Sequence, residues 1–275
     1  MRIVVGVLCL MSFAGAALAQ SPSDTQDVVF QVRKLMIVSS DLPESEQIPI
    51  VSKYQGKADD LEELKERIRQ DLRDLGYATA AVEDGQIANL SGPADSRSAD
   101  VTVHVSAGAK YRLGEIRFEN ASVFPPDQLR KQFPIENGAL FNASFIGEGL
   151  DNLRKLYASQ GYINFGCIPN IAYDEARHTI ALTLDFDEGR QFRFGRLLFE
   201  GVEPHAGAAK AILAAWPQLE GKVFTFEALA QWMHANDPYL TPAETPQELE
   251  TVHQNPDTRR VDVVLEFPDA AAQPQ

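Results

Sequence analysis

The chain has 275 residues, of which 44% are hydrophobic, and this composition suits one large or several small globular domains rather than a disordered protein. Its 39 acidic and 25 basic residues give a net charge of −14. The acidic residues are spread along the chain, so nucleic acid is a poor partner and adhesion to anionic lipid is disfavoured.

The first 19 residues have the features of a secretory signal. Arg2 provides a positive end, an apolar run follows, and Ala17-Leu18-Ala19 precedes a cleavage position before Gln20. A transmembrane anchor is the alternative, but the run is shorter than the roughly 20 apolar residues of a spanning helix. We therefore expect an exported protein with no membrane span after signal cleavage. Only Cys167 would then remain, so no intramolecular disulfide forms, and we interpret it as a small buried thiol.

Three similar segments begin 81 residues apart, at Phe30, Tyr111 and Phe192. In each, apolar residues alternate by two, as in a half-buried strand, but the alternation slips by one residue in the middle. The slip falls at Gly114 and Gly195, where a glycine is typical of a β-bulge. The first segment has an arginine there, so a left-handed bulge is not expected in it.

The first repeat follows an exposed linker at residues 20–27. Weak signals for a short helix occur over residues 41–49. A strong helix then begins after Asp60, which forms a capping box with Glu63, and it ends at Gly76. A short strand at residues 80–82 and an alternating final strand complete this repeat.

The second repeat has the same order of elements. Asp127 is the start signal of a shorter first helix, and Asn142 is the expected N-cap of the longer one, which ends at Gly161. A strand over residues 165–171 and a final alternating strand follow. In the third repeat Thr225 caps the corresponding helix, a proline- and glutamate-rich insertion occupies residues 238–248, and residues 268–275 form a tail.

The elements predict an α+β fold of three tandem strand-helix-helix-strand-strand domains, at residues 28–110, 111–191 and 192–267, the third being the least regular. Each domain is expected to hold a three-stranded sheet covered by two helices. The motifs in this pattern are Tyr111-x-Leu113-Gly114-x-Ile116-x-Phe118, Gly138, Phe141, Gly161-Tyr162, Asp187-Glu188-Gly189 and Gly195. In this order and spacing they resemble the POTRA (polypeptide-transport-associated) domains of the outer-membrane barrel-assembly and translocation family.

The resemblance implies a protein of the bacterial periplasm, possibly associated with the outer membrane, whose partners are unfolded outer-membrane precursors or an outer-membrane barrel or assembly component. Family members of the assembly type carry a membrane barrel after these domains. This chain stops after the third repeat, so we expect a free-standing array or the soluble part of a once larger protein.

A three-stranded sheet leaves an outer strand whose N–H and C=O groups an extended peptide can join. The family places this edge on the second strand, and the candidate residues are Phe165, Cys167, Pro169 and Ile171, with Leu153 and Tyr157 on the neighbouring helix. The alternative is that these residues belong only to the core.

At the level of function, the alternative to polypeptide binding is a structural spacer or scaffold that docks onto another envelope protein. An enzyme is disfavoured, because the sequence contains no recognisable set of nucleophile, base and orienting group. Neither a cofactor nor a metal is expected: the histidines are scattered, and the acidic residues 59–63 lie where a helix begins, a position that favours negative charge.

Overall fold

The computed structural model describes residues 28–93, 96–201, 207–236 and 252–267. The predicted signal and linker, the insertion at residues 238–248 and the tail lie outside the described residues. The chain packs as two compact units, one containing the described residues up to Asp71 with Ala80–Ala107, the other Leu72–Thr79 with the described residues from Gly108 onward. The three domain boundaries remain predictions. Within the described ranges, no helix is both long enough and apolar enough to cross a membrane.

Three sheets are present among the described residues, and the first has the strand order β2-β1-β4-β3. Its elements along the chain are β1 (Phe30–Val38), α1 (Glu44–Tyr54), β2 (Ala58–Asp59), α2 (Leu61–Asp74), β3 (Ala81–Ser91) and β4 (Ser98–Ser106). The strand expected at residues 80–82 is therefore longer than predicted.

The second and third sheets have the orders β5-β7-β6 and β8-β10-β9. The second is built from β5 (Arg112–Glu119), α3 (Pro126–Arg130), α4 (Ala143–Ala158), β6 (Gly166–Asp174) and β7 (Thr179–Asp187). The third contains β8 (Arg193–Gly201), α5 (Ala208–Ala215), a 3-10 helix (Trp216–Gln218), α6 (Phe226–Ala235), β9 (Val252–Asn255) and β10 (Arg260–Phe267).

In every sheet the opening strand runs parallel to the closing strand, which pairs antiparallel with the middle strand. A parallel pair needs a crossover connection, which the two helices provide. The predicted tandem α+β fold is confirmed, with one correction. The first sheet has four strands, because Ala58–Asp59 pairs with the start of β1, whereas the corresponding segments of the other domains form only the single bridges Arg112↔Leu140 and Arg193↔Val223.

The predicted bulges occur in the opening strands of all three sheets, where the register shifts against the closing strand. Neither Gly114 nor Gly195 has a positive φ angle. Gly114 is instead favoured by close approach, since a Cβ atom there would lie 3.1 Å from the carbonyl oxygen of Ile180. In the first sheet Arg33 occupies this position, and its guanidinium binds the Asp100 carboxylate at 2.8 Å.

Side-chain caps begin the longer helix of each domain, as predicted from the sequence. The backbone N–H groups of Glu63, Phe145 and Ala228 donate to the side chains of Asp60, Asn142 and Thr225 at 2.8, 2.8 and 3.0 Å. The start predicted for α3 was wrong. This helix begins at Pro126 with Pro125 as N-cap, because proline fixes a helical φ and lacks the N–H that would otherwise need a partner.

The core of the second domain lies between α4 and the inner face of β7. The inward residues of β7 are Ile180, Leu182, Leu184 and Phe186, each at most 6% exposed. Gly149 of α4 allows the ring of Phe133 to lie directly against the helix, where a Cβ atom would overlap the ring. By contrast, Gly147 faces solvent and has open space around its Cα atom.

These two glycines of α4 form a matched pair for testing the packing. We expect Gly149→Ala to lower the free energy of unfolding by about 1–3 kcal/mol, because the added methyl group overpacks the site against Phe133. Gly147→Ala should instead raise it by up to about 1 kcal/mol, because alanine is the better helix former. Urea unfolding followed by circular dichroism measures both, and equal effects of the two variants would contradict the packing described here.

Candidate functional site

The strand β6 lies at the edge of the second sheet. It pairs with β7 in unbroken register over nine residues, from Gly166↔Asp187 to Asp174↔Thr179. No strand of the sheet lies on its other side. Alternate residues of β6 therefore direct their N–H and C=O groups away from the sheet.

This edge is apolar and uncharged along its centre. Ile168, Ile171 and Tyr173 are 67%, 49% and 45% exposed, and the segment CIPNIAY at residues 167–173 contains no charged residue. Proteins commonly protect such edges with charges, bulges, prolines or short strands. In β6 only Pro169 serves this purpose, since it lacks an N–H group.

The middle strands of the other two sheets are protected more fully. The edge strand β3 has register shifts between Val82/Gly85 and Ala88/Ser91, and it carries two acidic residues within the first shift. The edge strand β9 has only four residues. Among the middle strands of the described sheets, β6 therefore combines the greatest regularity with an uncharged edge.

Pairing with β7 determines which way the side chains of β6 point. Cys167 and Ile171 are directly opposite Phe186 and Leu182, whose side chains face the core. Paired residues on antiparallel strands project to the same face, so Cys167 and Ile171 lie on the helix side of the sheet. Ile168 projects to the open face. The edge consequently offers apolar contacts on both faces.

The predicted site residues divide into three groups by exposure. Pro169 and Ile171 are exposed, and Phe165 and Cys167 are half-buried. Leu153 and Tyr157 are fully buried, so they support the edge from behind and present no surface. The sequence analysis did not include Ile168 and Tyr173, although apolar residues at both odd and even positions of the strand were a signal that both faces matter.

Phe165 connects the edge strand to the core. Its ring stacks on Tyr157 with centroids 4.0 Å apart and lies 5.1 Å from the ring of Phe186. Cys167 follows two residues later, and burial raises the pKa of its thiol above the usual value. The thiol is therefore neutral at pH 7 and packs as an apolar group. These contacts fix where β6 starts.

Tyr157 is in turn held by Glu188, in the Asp-Glu-Gly motif that closes the domain. The Glu188 carboxylate accepts hydrogen bonds from the Tyr157 hydroxyl at 2.6 Å and from the backbone N–H groups of Ser122 and Val123 at 2.9 Å each. Burial alone would raise the pKa of Glu188, but the hydrogen bonds outweigh it and lower the pKa below its usual value. We call this set of contacts the Glu188 clasp.

The remaining motif residues shape the turns around these strands. Gly138, Gly161 and Gly189 have φ angles of +82°, +81° and +64°, which glycine adopts without strain. The Gly161 carbonyl accepts the Phe192 N–H at 2.8 Å, which connects the end of α4 to the start of the third domain. Tyr162 contacts the Tyr157 ring edge-on at 6.0 Å.

Three carboxylates near the start of α2, those of Asp59, Asp60 and Glu63, have oxygens within 4.8 Å of one another. Arg67 lies between them, 3.4 Å from Asp59 and 2.6 Å from Glu63, and Asp60 caps the helix. Burial raises the pKa of Asp59, while Arg67 acts in the opposite direction. Since Arg67 already supplies a cation, we assign no ligand to this cluster.

Comparison with known proteins agrees with this geometry. The POTRA family, described as a surface antigen variable number repeat, matches residues 111–189. The outer membrane protein assembly factor BamA of Buchnera aphidicola is 27% identical over 131 residues, which are 47% of this chain and 21% of that protein. The chain thus spans about a fifth of the length of this relative.

Among solved structures, POTRA domains 3–5 of Haemophilus influenzae BamA superpose with a TM-score of 0.59 at 20% identity. The match covers 87% of this chain and 96% of that one, so it supports the tandem fold along most of the sequence. The resemblance to POTRA domains is confirmed, by family for the second domain and by fold for the series.

Replacement of the clasp carboxylate should make stability less dependent on pH. We expect Glu188→Gln to lower the free energy of unfolding by about 1–3 kcal/mol at pH 7, because an amide cannot accept all the hydrogen bonds to the charged group. The folded-state pKa of Glu188 is lowered. Its contribution is therefore complete above the unfolded pKa of about 4.3 and is lost as the pH falls through the folded value.

Urea unfolding at pH 7, 5 and 4 tests this expectation. The difference between wild type and Glu188→Gln should be constant from pH 7 to 5 and should shrink below about pH 4. The exposed Glu148 of α4 provides the control, and its change to glutamine should alter stability by less than about 0.5 kcal/mol. A difference that grew as the pH fell would show that the carboxylate is not the stabilising group.

Proposed function

We propose, from the premise that residues 111–189 form a POTRA domain within a tandem of POTRA folds, that this protein acts in outer-membrane protein assembly or translocation. The relative named as an assembly factor supports this role. The proposed location is the bacterial periplasm, reached through the predicted signal at residues 1–19. The role is one of binding and requires neither catalysis nor a cofactor.

The proposed mechanism is the addition of a polypeptide strand to β6. The observation that carries it is the nine-residue, unbroken and uncharged edge with exposed Ile168, Ile171 and Tyr173. An added strand would satisfy the outward N–H and C=O groups, and its apolar side chains would cover the exposed ones. Main-chain bonding reads little of a partner's side-chain sequence, which suits a protein that handles many unfolded chains.

Unfolded outer-membrane precursors fit such an edge, because their strands alternate apolar and polar residues over about ten positions. A strand from an outer-membrane barrel or assembly component would fit by the same chemistry. The alternative function is a spacer or scaffold. The contact between Gly161 and Phe192 favours it, since it ties the second domain directly to the third.

A charge placed on the edge should abolish binding without unfolding the domain. We expect Ile171→Lys to weaken binding of an unfolded barrel-strand peptide by about tenfold or more, because the lysine would have to be desolvated beneath the added strand. Phe145→Lys is the control, as Phe145 is similarly exposed, at 42%, but lies on α4. Fluorescence anisotropy with labelled peptide measures the affinity, and circular dichroism checks the fold.

Proline substitutions at two neighbouring positions separate main-chain binding from side-chain binding. Of Asn170 and Ile171, one directs its N–H to β7 and the other directs it outward. One proline variant should therefore lose stability, and the other should stay folded but bind peptide more weakly. If the folded variant and Ile171→Lys both bind as wild type does, strand addition at β6 is wrong. Specific binding of one folded envelope protein would then support the scaffold.

A further inference from the structure

The opposite edge of the same sheet, formed by β5, is covered along only half its length. At its start, the segment 138–141 lies alongside it: the Leu113 N–H donates to the Ala139 carbonyl at 2.9 Å, and the Gly138 N–H donates to the Leu113 carbonyl at 2.6 Å. After the bulge between Leu113 and Ile116 this cover ends. Since β5 is the outer strand in the order β5-β7-β6, no strand of the sheet flanks the stretch Ile116 to Glu119.

A groove of about 510 Å³ runs beside this uncovered half. Five consecutive residues of β5, 115–119, line one side, and Pro126, Asp127 and Arg130 of α3 line the other. Successive side chains of a strand project to opposite faces. Consecutive residues can therefore line one groove only if it follows the edge of the strand, where the backbone itself is accessible. Of the four residues after the bulge, two direct their N–H and C=O groups into the groove.

The charges of the groove indicate what it would bind. Both arginines are already engaged: Arg117 pairs with Glu115 at 2.7 Å, and Arg130 donates to the Ile135 carbonyl and, at 3.0 Å, to the Asn137 side chain. The carboxylates on the two sides of the groove, those of Glu119 and Asp127, form no hydrogen bond or ion pair within the described part of the chain. The uncompensated charge is negative, and it complements a cation on the occupant.

We propose that this groove is a second strand-binding edge, which accepts an extended polypeptide of about four residues carrying a lysine or arginine. Four residues in strand conformation span about 13 Å. The backbone of the occupant would continue the pairing that the segment 138–141 begins, and its basic side chain would lie near Glu119 and Asp127. The site shares no residue with β6 and does not depend on binding there.

The test uses the full chain carrying Ile171→Lys, so that the β6 edge is blocked. The probe is a capped six-residue peptide of alternating threonine and valine with one central lysine, and its counterpart has glutamate at that position. We expect amide NMR shifts at residues 115–119 and 126–130, and about fivefold tighter binding of the lysine peptide. The double variant Glu119→Gln/Asp127→Asn should remove this preference, while Glu148→Gln retains it.

Three results would overturn the proposal: shifts confined to other surfaces, equal affinity for the two peptides, or no binding at millimolar peptide. A lysine peptide with alternate backbone N-methyl groups adds a check on the main-chain contacts, because one of its two registers cannot pair. Binding of that peptide with undiminished affinity in both registers would also overturn the proposal. Failure of binding at β6 leaves each of these results interpretable, since that edge is blocked throughout.

Discussion

The parallel pairing of the opening and closing strands in each sheet is the constraint on which the rest of the structure depends. A tight turn cannot join two parallel strands, so the two helices form the crossover and at the same time cover one face of the sheet. The middle strand can then pair only with the free side of the closing strand. The exposure of β6 is thus a consequence of topology, and its own sequence decides only whether that exposed edge is protected or left available for pairing.

The domains conserve contacts more closely than residues. In the first domain the Ala107 N–H donates to the Asp41 carboxylate at 3.0 Å, and in the second the Ser122 N–H donates to the Glu188 carboxylate at 2.9 Å. Positions 41 and 122 are 81 apart, as are 107 and 188, so the carboxylate has moved to the other side of the same contact. Either arrangement ties the loop after the opening strand to the end of the closing strand.

The bulge shows a similar economy. Arg33 pairs with Asp100 in the first domain, and the strong hydrogen bonds from Arg33 and Asn89 lower the pKa of Asp100 to about 2. In the third domain glycine stands at the bulge, and the next residue, Arg196, pairs with Asp262 at 2.8 Å. Asp100 and Asp262 are equivalent in the repeat, being 162 residues apart. An arginine near the bulge can therefore reach the closing strand from either position.

The sequence by itself determined the features that depend on near neighbours: the repeat of 81 residues, the caps at Asp60, Asn142 and Thr225, and the glycine that ends α4. The tertiary structure alone decided the features that depend on which segments meet. A helical stripe identified Leu153 and Tyr157 as apolar but not as fully enclosed, because enclosure depends on distant strands. The donors to Glu188 lie 31 to 66 residues away along the chain, and no local pattern records a hydrogen bond across that separation. The same reason hid the uncovered half of β5, since an edge exists only once strand order is fixed.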